Sequence, residues 1–343
     1  MKTVSIIAIL LAIIYAIPCP LQSSEGIPLD GLSRPATFLI ENDRIYILER
    51  ASIYIYHLRN FKQIKKFGKA GEGPKEFKYD GRNGRPLSMC FHRGQLLVNS
   101  EFKISYFKPD GNYIKEHKVP VDRLLFPIAE NYLGVGMLST KDKRQYLGYS
   151  FHPKDFSSQR TLFISDFEMN NPRSLVLPIS SFTYNPVYRN RIYLNGSSSD
   201  FKIDVYDRNG NKKYTITKNE PRIPIPKQFK TEALSFFQKS PQYKRAYEFI
   251  KKVMAVREHY PPIRDLQIRD GKIYVVTFKQ KGDSWECIQL DLKGNETGRY
   301  FIRLNRLEHL SFYPLIYYVY QNKIYTLVED EEDEIWKIYR QDL

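Results

Sequence analysis

Arg44-Ile45-Tyr46-Ile47, Gln95-Leu96-Leu97-Val98, Arg191-Ile192-Tyr193-Leu194, Lys272-Ile273-Tyr274-Val275 and Lys323-Ile324-Tyr325-Thr326 are one phrase written five times. A polar residue, most often basic, opens each, and aliphatic or tyrosyl side chains follow. The starts lie 51, 96, 81 and 51 residues apart, and the longest interval has room for a worn copy at Asn131-Tyr132-Leu133-Gly134-Val135. Repetition at this spacing marks an array of similar supersecondary units, here six.

Two further markers keep step with the phrase. A proline followed by an aliphatic residue stands shortly before each copy, at Pro35, Pro86, Pro127, Pro186, Pro262 and Pro314. Proline lacks the N–H that a central ladder needs and so suits the first residue of a strand. The turns Asp110-Gly111-Asn112, Asn209-Gly210-Asn211 and Lys293-Gly294-Asn295 lie between alternating apolar runs, where glycine supplies the positive φ of a tight hairpin.

Units of about 40 to 50 residues with four short strands describe the blade of a β-propeller, because one such sheet cannot cover both its faces and must pack on the next. Unit two reads as strands at Leu87 to His92, Gln95 to Glu101, Lys103 to Lys108 and Tyr113 to Val119. Unit six reads as Leu315 to Tyr320, Lys323 to Val328 and Glu334 to Tyr339, one strand short. The missing strand is expected from residues just before Leu32, which would leave no edge exposed. Unit three, around residues 121–178, is irregular and its strands are not placed. A β-sandwich would also contain alternating Tyr/Ile strands, but would not require three markers in step.

Composition agrees with an all-β chain. Of 343 residues, 42% are hydrophobic and 14% aromatic, with 26 Tyr and 21 Phe against 5 Met and 2 Trp. That excludes a disulfide miniprotein and a wholly disordered chain, and favours strands over helices.

Phe67-Gly68-Lys69-Ala70-Gly71-Glu72-Gly73-Pro74-Lys75-Glu76-Phe77, directly after the fourth strand of unit one, resembles the G-x-x-G-x-G-P-x-x-F linker of bacterial six-bladed propellers of the NHL-like and TolB-like kind. The resemblance covers most of the chain by blade pattern and this linker alone by motif. It implies a six-bladed ring and frequent export, and no single activity. The glycines allow a sharp turn between blades and Phe77 can plug the gap, a scaffold role.

Met1-Lys2 precedes an almost unbroken apolar run from Val4 to Ile17, the length of a signal-peptide core and shorter than a membrane span. Residues 1–24 are therefore expected to be a signal peptide, cleaved after Ala16 or near Ser24, and 25–343 one propeller domain, exported to the periplasm or beyond. A lipid anchor at Cys19 would make the chain a peripheral membrane protein, but Ala16-Ile17-Pro18 does not match a lipobox. Cys90 and Cys287, amid apolar neighbours, read as small buried hydrophobes rather than ligands or nucleophiles.

The ring is interrupted about residues 226–260, between blades 4 and 5. Tyr243, Ala246, Tyr247, Ile250, Val253 and Met254 recur at helical spacing, with Ser240-Pro241 as a start and Pro261-Pro262 as a stop. Lys244, Arg245, Lys251 and Lys252 take the other side, so the insertion reads as a helix packed on the sheet or as a lid or docking arm over one channel mouth.

The net charge is +15, and setting aside the six acids from Glu329 to Glu334 leaves 53 basic residues against 32 acidic, or +21. Such a body concentrates anionic partners, expected here to be an anionic glycan or peptide, or a cell-envelope protein. Nucleic acid is not expected, since no RNP-like, zinc-finger or helix-turn-helix pattern is present. The acidic run lacks the spaced pattern of a calcium loop and reads as a solvated hairpin.

His57, His92, His117, His152, His259 and His309 form no H-x-H or H-E-x-x-H pair, and there is no G-x-S-x-G, so no catalytic residue is assigned. Residues entering the inner strand of each blade line a mouth of the central channel, and the candidate ligand set is Arg34, Arg85, Phe126, Asn185, Arg264, Asp265 and Tyr313. Three arginines among aromatic and polar groups suit a carboxylate, sulfate or phosphate on a sugar or peptide, bound without a cofactor. The alternative is a calcium-dependent lactonase-like hydrolase with Asn185 and Asp265 as metal ligands. Arg34 or Arg85 would then stand where a glutamate is wanted, and a guanidinium beside a cation is unfavourable.

Overall fold

The computed structural model describes residues 26–78, 87–121, 123–168, 175–177, 183, 185–240, 243–282, 284–304, 316–330 and 334–343. The apolar run Val4 to Ile17 and Cys19 lie outside these. Among the described residues no helix is long and apolar enough to cross a membrane.

The chain forms a β-propeller of six blades, each an antiparallel sheet of four strands in inner-to-outer order. Blade 1 comprises Thr37–Glu41, Arg44–Glu49, Ser52–His57 and Gln63–Phe67, and blade 2 comprises Ser88–His92, Gln95–Ser100, Lys103–Phe107 and Tyr113–Lys118. Blade 3 runs through Leu124–Ile128, Asn131–Ser139, Gln145–His152 and Arg160–Glu168. Blade 4 has Val187–Tyr188, Arg191–Asn195, Phe201–Tyr206 and Lys212–Lys218, and blade 5 has Asp265–Arg269, Lys272–Lys281, Ser284–Asp291 and Glu296–Arg303. Blade 6 supplies Tyr317–Tyr320, Lys323–Asp330 and Ile335–Asp342, and Ile27–Pro28 completes it by pairing Ile27 with Ile338. The six inner strands touch one another in sequence and close a circle.

The repeated phrase is the second strand of each blade, central in its sheet and covered on both faces. Ile45, Tyr46 and Ile47 are all fully buried, as are Ile192, Tyr193, Leu194, Ile273, Tyr274 and Val275. A strand buried on both faces needs an unbroken apolar run, each large side chain contributing about 2 kcal/mol by leaving water. Tyrosine adds a polar reach: the Tyr46 hydroxyl donates to Pro109 O at 2.7 Å, Tyr206 to Leu162 O at 3.2 Å and Tyr214 to Leu292 O at 2.7 Å, each crossing to a neighbouring blade. The turn glycines meet the same interfaces. Gly294 has φ +98° and a Cβ there would lie 2.5 Å from Ile216, so the close approach as well as the φ requires glycine.

In the linker after blade 1, Phe77 is fully buried between blades 1 and 2, and the chain around it wraps a buried ammonium. Lys103 Nζ donates to Glu76 O at 2.9 Å, Gly73 O at 3.1 Å and Glu72 O at 3.4 Å, with Glu116 Oε2 3.4 Å away.

Three expectations need correction. The prolines do not open the inner strands: Pro127 is the fourth residue of Leu124–Ile128, while Pro35, Pro186 and Pro262 precede their strands; Pro86 and Pro314 lie outside the described residues. An inner strand pairs on one side only, so a proline can sit within it without breaking a ladder. Second, the insertion is not one helix: another precedes the stretch that begins after Ser240. Helix α1 (Phe229–Lys239) ends there, Ser240 N donating to Phe236 O, and a 3₁₀ turn (Lys244–Ala246) leads into α2 (Tyr247–Val253). Third, Met254 leaves the helix and opens a strand, Met254–Val256, paired in parallel with Leu175–Leu177. The insertion thereby acquires a core of its own, with Leu177, Phe229, Ala233, Phe237, Ile250 and Met254 buried together.

Candidate functional site

The insertion returns to the ring at the start of blade 5, where Arg264 precedes and Asp265 opens the inner strand. Arg264 N donates to Val276 O at 2.8 Å, fixing its backbone to the second strand. Its guanidinium lies over the Trp285 ring, with Cζ 3.6 Å from the centroid, and faces Phe278 at 5.1 Å. Phe278 is stacked in turn on Tyr260, the last aromatic residue of the insertion, at 4.5 Å. Aromatic faces attract a cation, so this stack holds the charge in place while leaving its in-plane donors uncommitted.

Arg264 is 4% exposed, yet Nε and Nη1 have no hydrogen-bond partner, and no carboxylate lies within ion-pair distance among the described residues. Burial pulls its pKa down to about 9, against the opposing pull of Asp265 and Tyr260. Buried donors of a cation left without an acceptor are costly, and such groups are ordinarily paired.

Asp265 is fully enclosed. Burial pushes its pKa up to about 7, although Leu266 N donates to Oδ1 at 2.8 Å and Arg264 opposes the shift. The Tyr317 hydroxyl of blade 6 faces this carboxyl without reaching hydrogen-bond geometry, and burial raises its own pKa far above the usual range. One strand position on, Gln267 Nε2 donates to Tyr317 O at 2.8 Å while its Oε1 stays unpartnered. The mouth of blade 5 thus gathers several buried polar atoms with unspent hydrogen-bonding capacity, where hydrogen bonds are strong and their absence is expensive.

The other candidate residues scatter. Arg34 is exposed, and its backbone N–H, with Ser33 N at 2.6 Å, donates to Glu49 Oε1. Burial works to raise the Glu49 pKa, but those donors outweigh it and hold the carboxyl below its usual range. Phe126 lies inside its strand, 1% exposed, in the core shared by blades 2, 3 and 4, and is not presented to the channel mouth. Asn185 is half-buried with φ +61°, a conformation asparagine tolerates, beside Thr183, whose carbonyl accepts the Tyr149 hydroxyl at 3.1 Å. Arg85 and Tyr313 fall outside the described residues. Cys90 and Cys287 are free and buried. Among the described residues no three His, Cys, Asp or Glu side chains gather in a metal-binding group.

Trp285, Phe278, Tyr260 and Tyr317 were not singled out in the sequence. Trp285, one of only two tryptophans in the chain, sits just past the Gly282 turn of blade 5 and was the available signal.

No family model matches the sequence and no curated protein matches it significantly. Solved structures are similar in fold. The β-propeller domain of the Trilobed protease from Pyrococcus furiosus has a TM-score of 0.45 at 11% identity, covering 90% of this chain and 95% of that one. The Neurospora crassa Pan2 WD40 domain gives 0.41 at 10%, covering 90% and 89%, and apo AztD from Citrobacter koseri gives 0.34 at 11%, covering 78% and 72%. The sheets of the chain itself establish a six-bladed β-propeller, a fold consistent with a binding module.

Proposed function

We propose that the chain is an exported, non-catalytic binding module of the NHL-like or TolB-like propeller kind. It receives an anionic group, a carboxylate, sulfate or phosphate carried on a glycan, peptide or envelope protein, at the channel mouth beside blade 5. The observation that supports this reading is the unpaired, buried guanidinium of Arg264. A scaffold arginine would have its donors spent on backbone or carboxylate, whereas one held flat on Trp285 with Nε and Nη1 free is preorganised for an anion brought by a ligand.

Titration calorimetry with glucuronate, sulfate and inorganic phosphate, on the wild type and on Arg264→Glu, tests the assignment. At least one probe is expected to bind the wild type and to lose about a hundredfold in affinity in the variant, the cost of about 3 kcal/mol for reversing a buried charge contact. Equal affinity in a folded Arg264→Glu protein removes the site. Stabilisation by calcium that Asn185→Ala and Asp265→Asn abolish replaces it with a lactonase-like metal centre.

A further inference from the structure

The insertion carries a second feature, remote from the channel in its chemistry. Helix α2 is anchored on one side by Ile250, which is buried with Phe237 and Met254 in the insertion's own core. Its other side is exposed and includes Phe249, 49% accessible, one of the most exposed large apolar side chains among the described residues. Helical spacing puts Arg245, four residues before, and Lys252, three after, beside that ring. Lys244 and Lys251 are exposed further round the helix, and Glu248 lies three or four residues from each of the four cations. None of the four cations makes an ion pair among the described residues.

A protruding phenyl ring flanked by Arg245 and Lys252, on an exposed helix side that carries four cations against one acid and is ordered by its buried side, has the chemistry of a surface that meets anionic headgroups. The cations answer the phosphates and the ring enters the interfacial layer. An acidic protein would satisfy the charge. A protein hot spot, however, is a packed cluster of anchors filling a pocket, and a lone ring among flexible lysines offers none. We propose that the solvent face of α2 is a docking surface for an anionic lipid bilayer, with Phe249 as the inserted residue and Arg245, Lys251 and Lys252 as headgroup contacts. It acts independently of any anchor at Cys19.

Co-sedimentation of the protein with vesicles of phosphatidylcholine, alone and mixed with phosphatidylglycerol, tests this. The wild type is expected to partition onto the mixed vesicles only and to be released by salt. Lys251→Glu/Lys252→Glu should reduce that partitioning by at least about tenfold, and Phe249→Ala by about threefold, with thermal unfolding unchanged because both positions are exposed. In Phe249→Trp the emission should shift to the blue on mixed vesicles and stay put on neutral ones. Unchanged partitioning in the charge-reversal variant, or equal binding to neutral vesicles, overturns the proposal. Binding of poly-glutamate as tight as that of the vesicles, with no blue shift, assigns the surface to an acidic protein instead.

Discussion

Two buried cations sit in this ring under opposite circumstances. Lys103, 7% exposed, has its ammonium enclosed by the carbonyls of Glu72, Gly73 and Glu76 with the Glu116 carboxylate 3.4 Å away. Arg264, 4% exposed, rests on an indole with two nitrogens unpartnered. Burial is equal, so burial alone does not separate scaffold from site. What separates them is whether each donor already has an acceptor within the fold. The glycine linker around Lys103 is complete in itself, while the mouth of blade 5 has donors left over.

The comparison can be broken most forcefully at Lys103. Lys103→Met leaves three inward carbonyls and a carboxylate without their cation, and is expected to lower the stability of the ring by about 4 kcal/mol in chemical denaturation. A loss under about 1 kcal/mol would mean that the cage holds nothing together.

The next effect belongs to Asp265 and depends on pH. Its folded pKa, about 7, lies above the ordinary carboxyl value of 3.8, so the native state retains a proton that the unfolded chain gives up. The stability this group contributes is complete below pH 4 and is lost as pH rises through 7. Asp265→Asn should therefore flatten the profile and raise stability at pH 8 by about 2 kcal/mol relative to the wild type, with little difference at pH 4. An anionic probe should also bind the wild type more tightly at pH 6, where the carboxyl beside the guanidinium is neutral, than at pH 8, where it is ionised. A variant as pH-sensitive as the wild type would place the titration elsewhere.

The smallest effect on stability, and the sharpest contrast, is expected at Arg264. Arg264→Met removes a buried charge whose Nε and Nη1 have no acceptor and whose neighbour Asp265 is already pushed toward its neutral form, so stability should stay within about 1 kcal/mol of the wild type or rise, while anion binding is lost. A destabilisation matching that of Lys103→Met would make the two cations equivalent and the distinction void.

The blade count was legible in the sequence because the second strand of each sheet is covered on both faces and therefore must be written in consecutive apolar residues, as at Ile45-Tyr46-Ile47. Blade 2 matched its expected strands to within about two residues, inside the spread of assignment conventions. Closure by residues before Leu32 was legible from the missing fourth strand. Blade 3 was obscured because Gly134, Gly136 and Gly148 stand where other blades carry large side chains; a Cβ at Gly134 would lie 2.9 Å from His152, and one at Gly148 2.5 Å from Leu138. Helix α1 escaped because Gln228 makes no side-chain cap, while Ser240 both ends α1 and, accepting from Tyr243 N and Lys244 N, begins the helical stretch that the spacing predicted. At the candidate site Arg264 and Asp265 were legible from their place beside Pro262. Their isolation was not, since it depends on Tyr260, Phe278, Trp285 and Tyr317, which come together only when the insertion folds back and blade 6 closes. Phe126 was misplaced because its proline lies within the strand rather than before it.

The pairing of Ile27 with Ile338 has a kinetic meaning. A blade that pairs Ile27 with Ile338 cannot form locally, and its closure requires a loop across nearly the whole described chain, which the other five sheets, built from consecutive strands, do not need. Until that clasp engages, the outer edge of Ile335–Asp342 is an unpaired template open to other chains. The joint that Ile27–Pro28 clasps, backed by the shared core of Leu29, Phe38, Trp336 and Ile338, is the one in the ring that unites residues farthest apart in sequence.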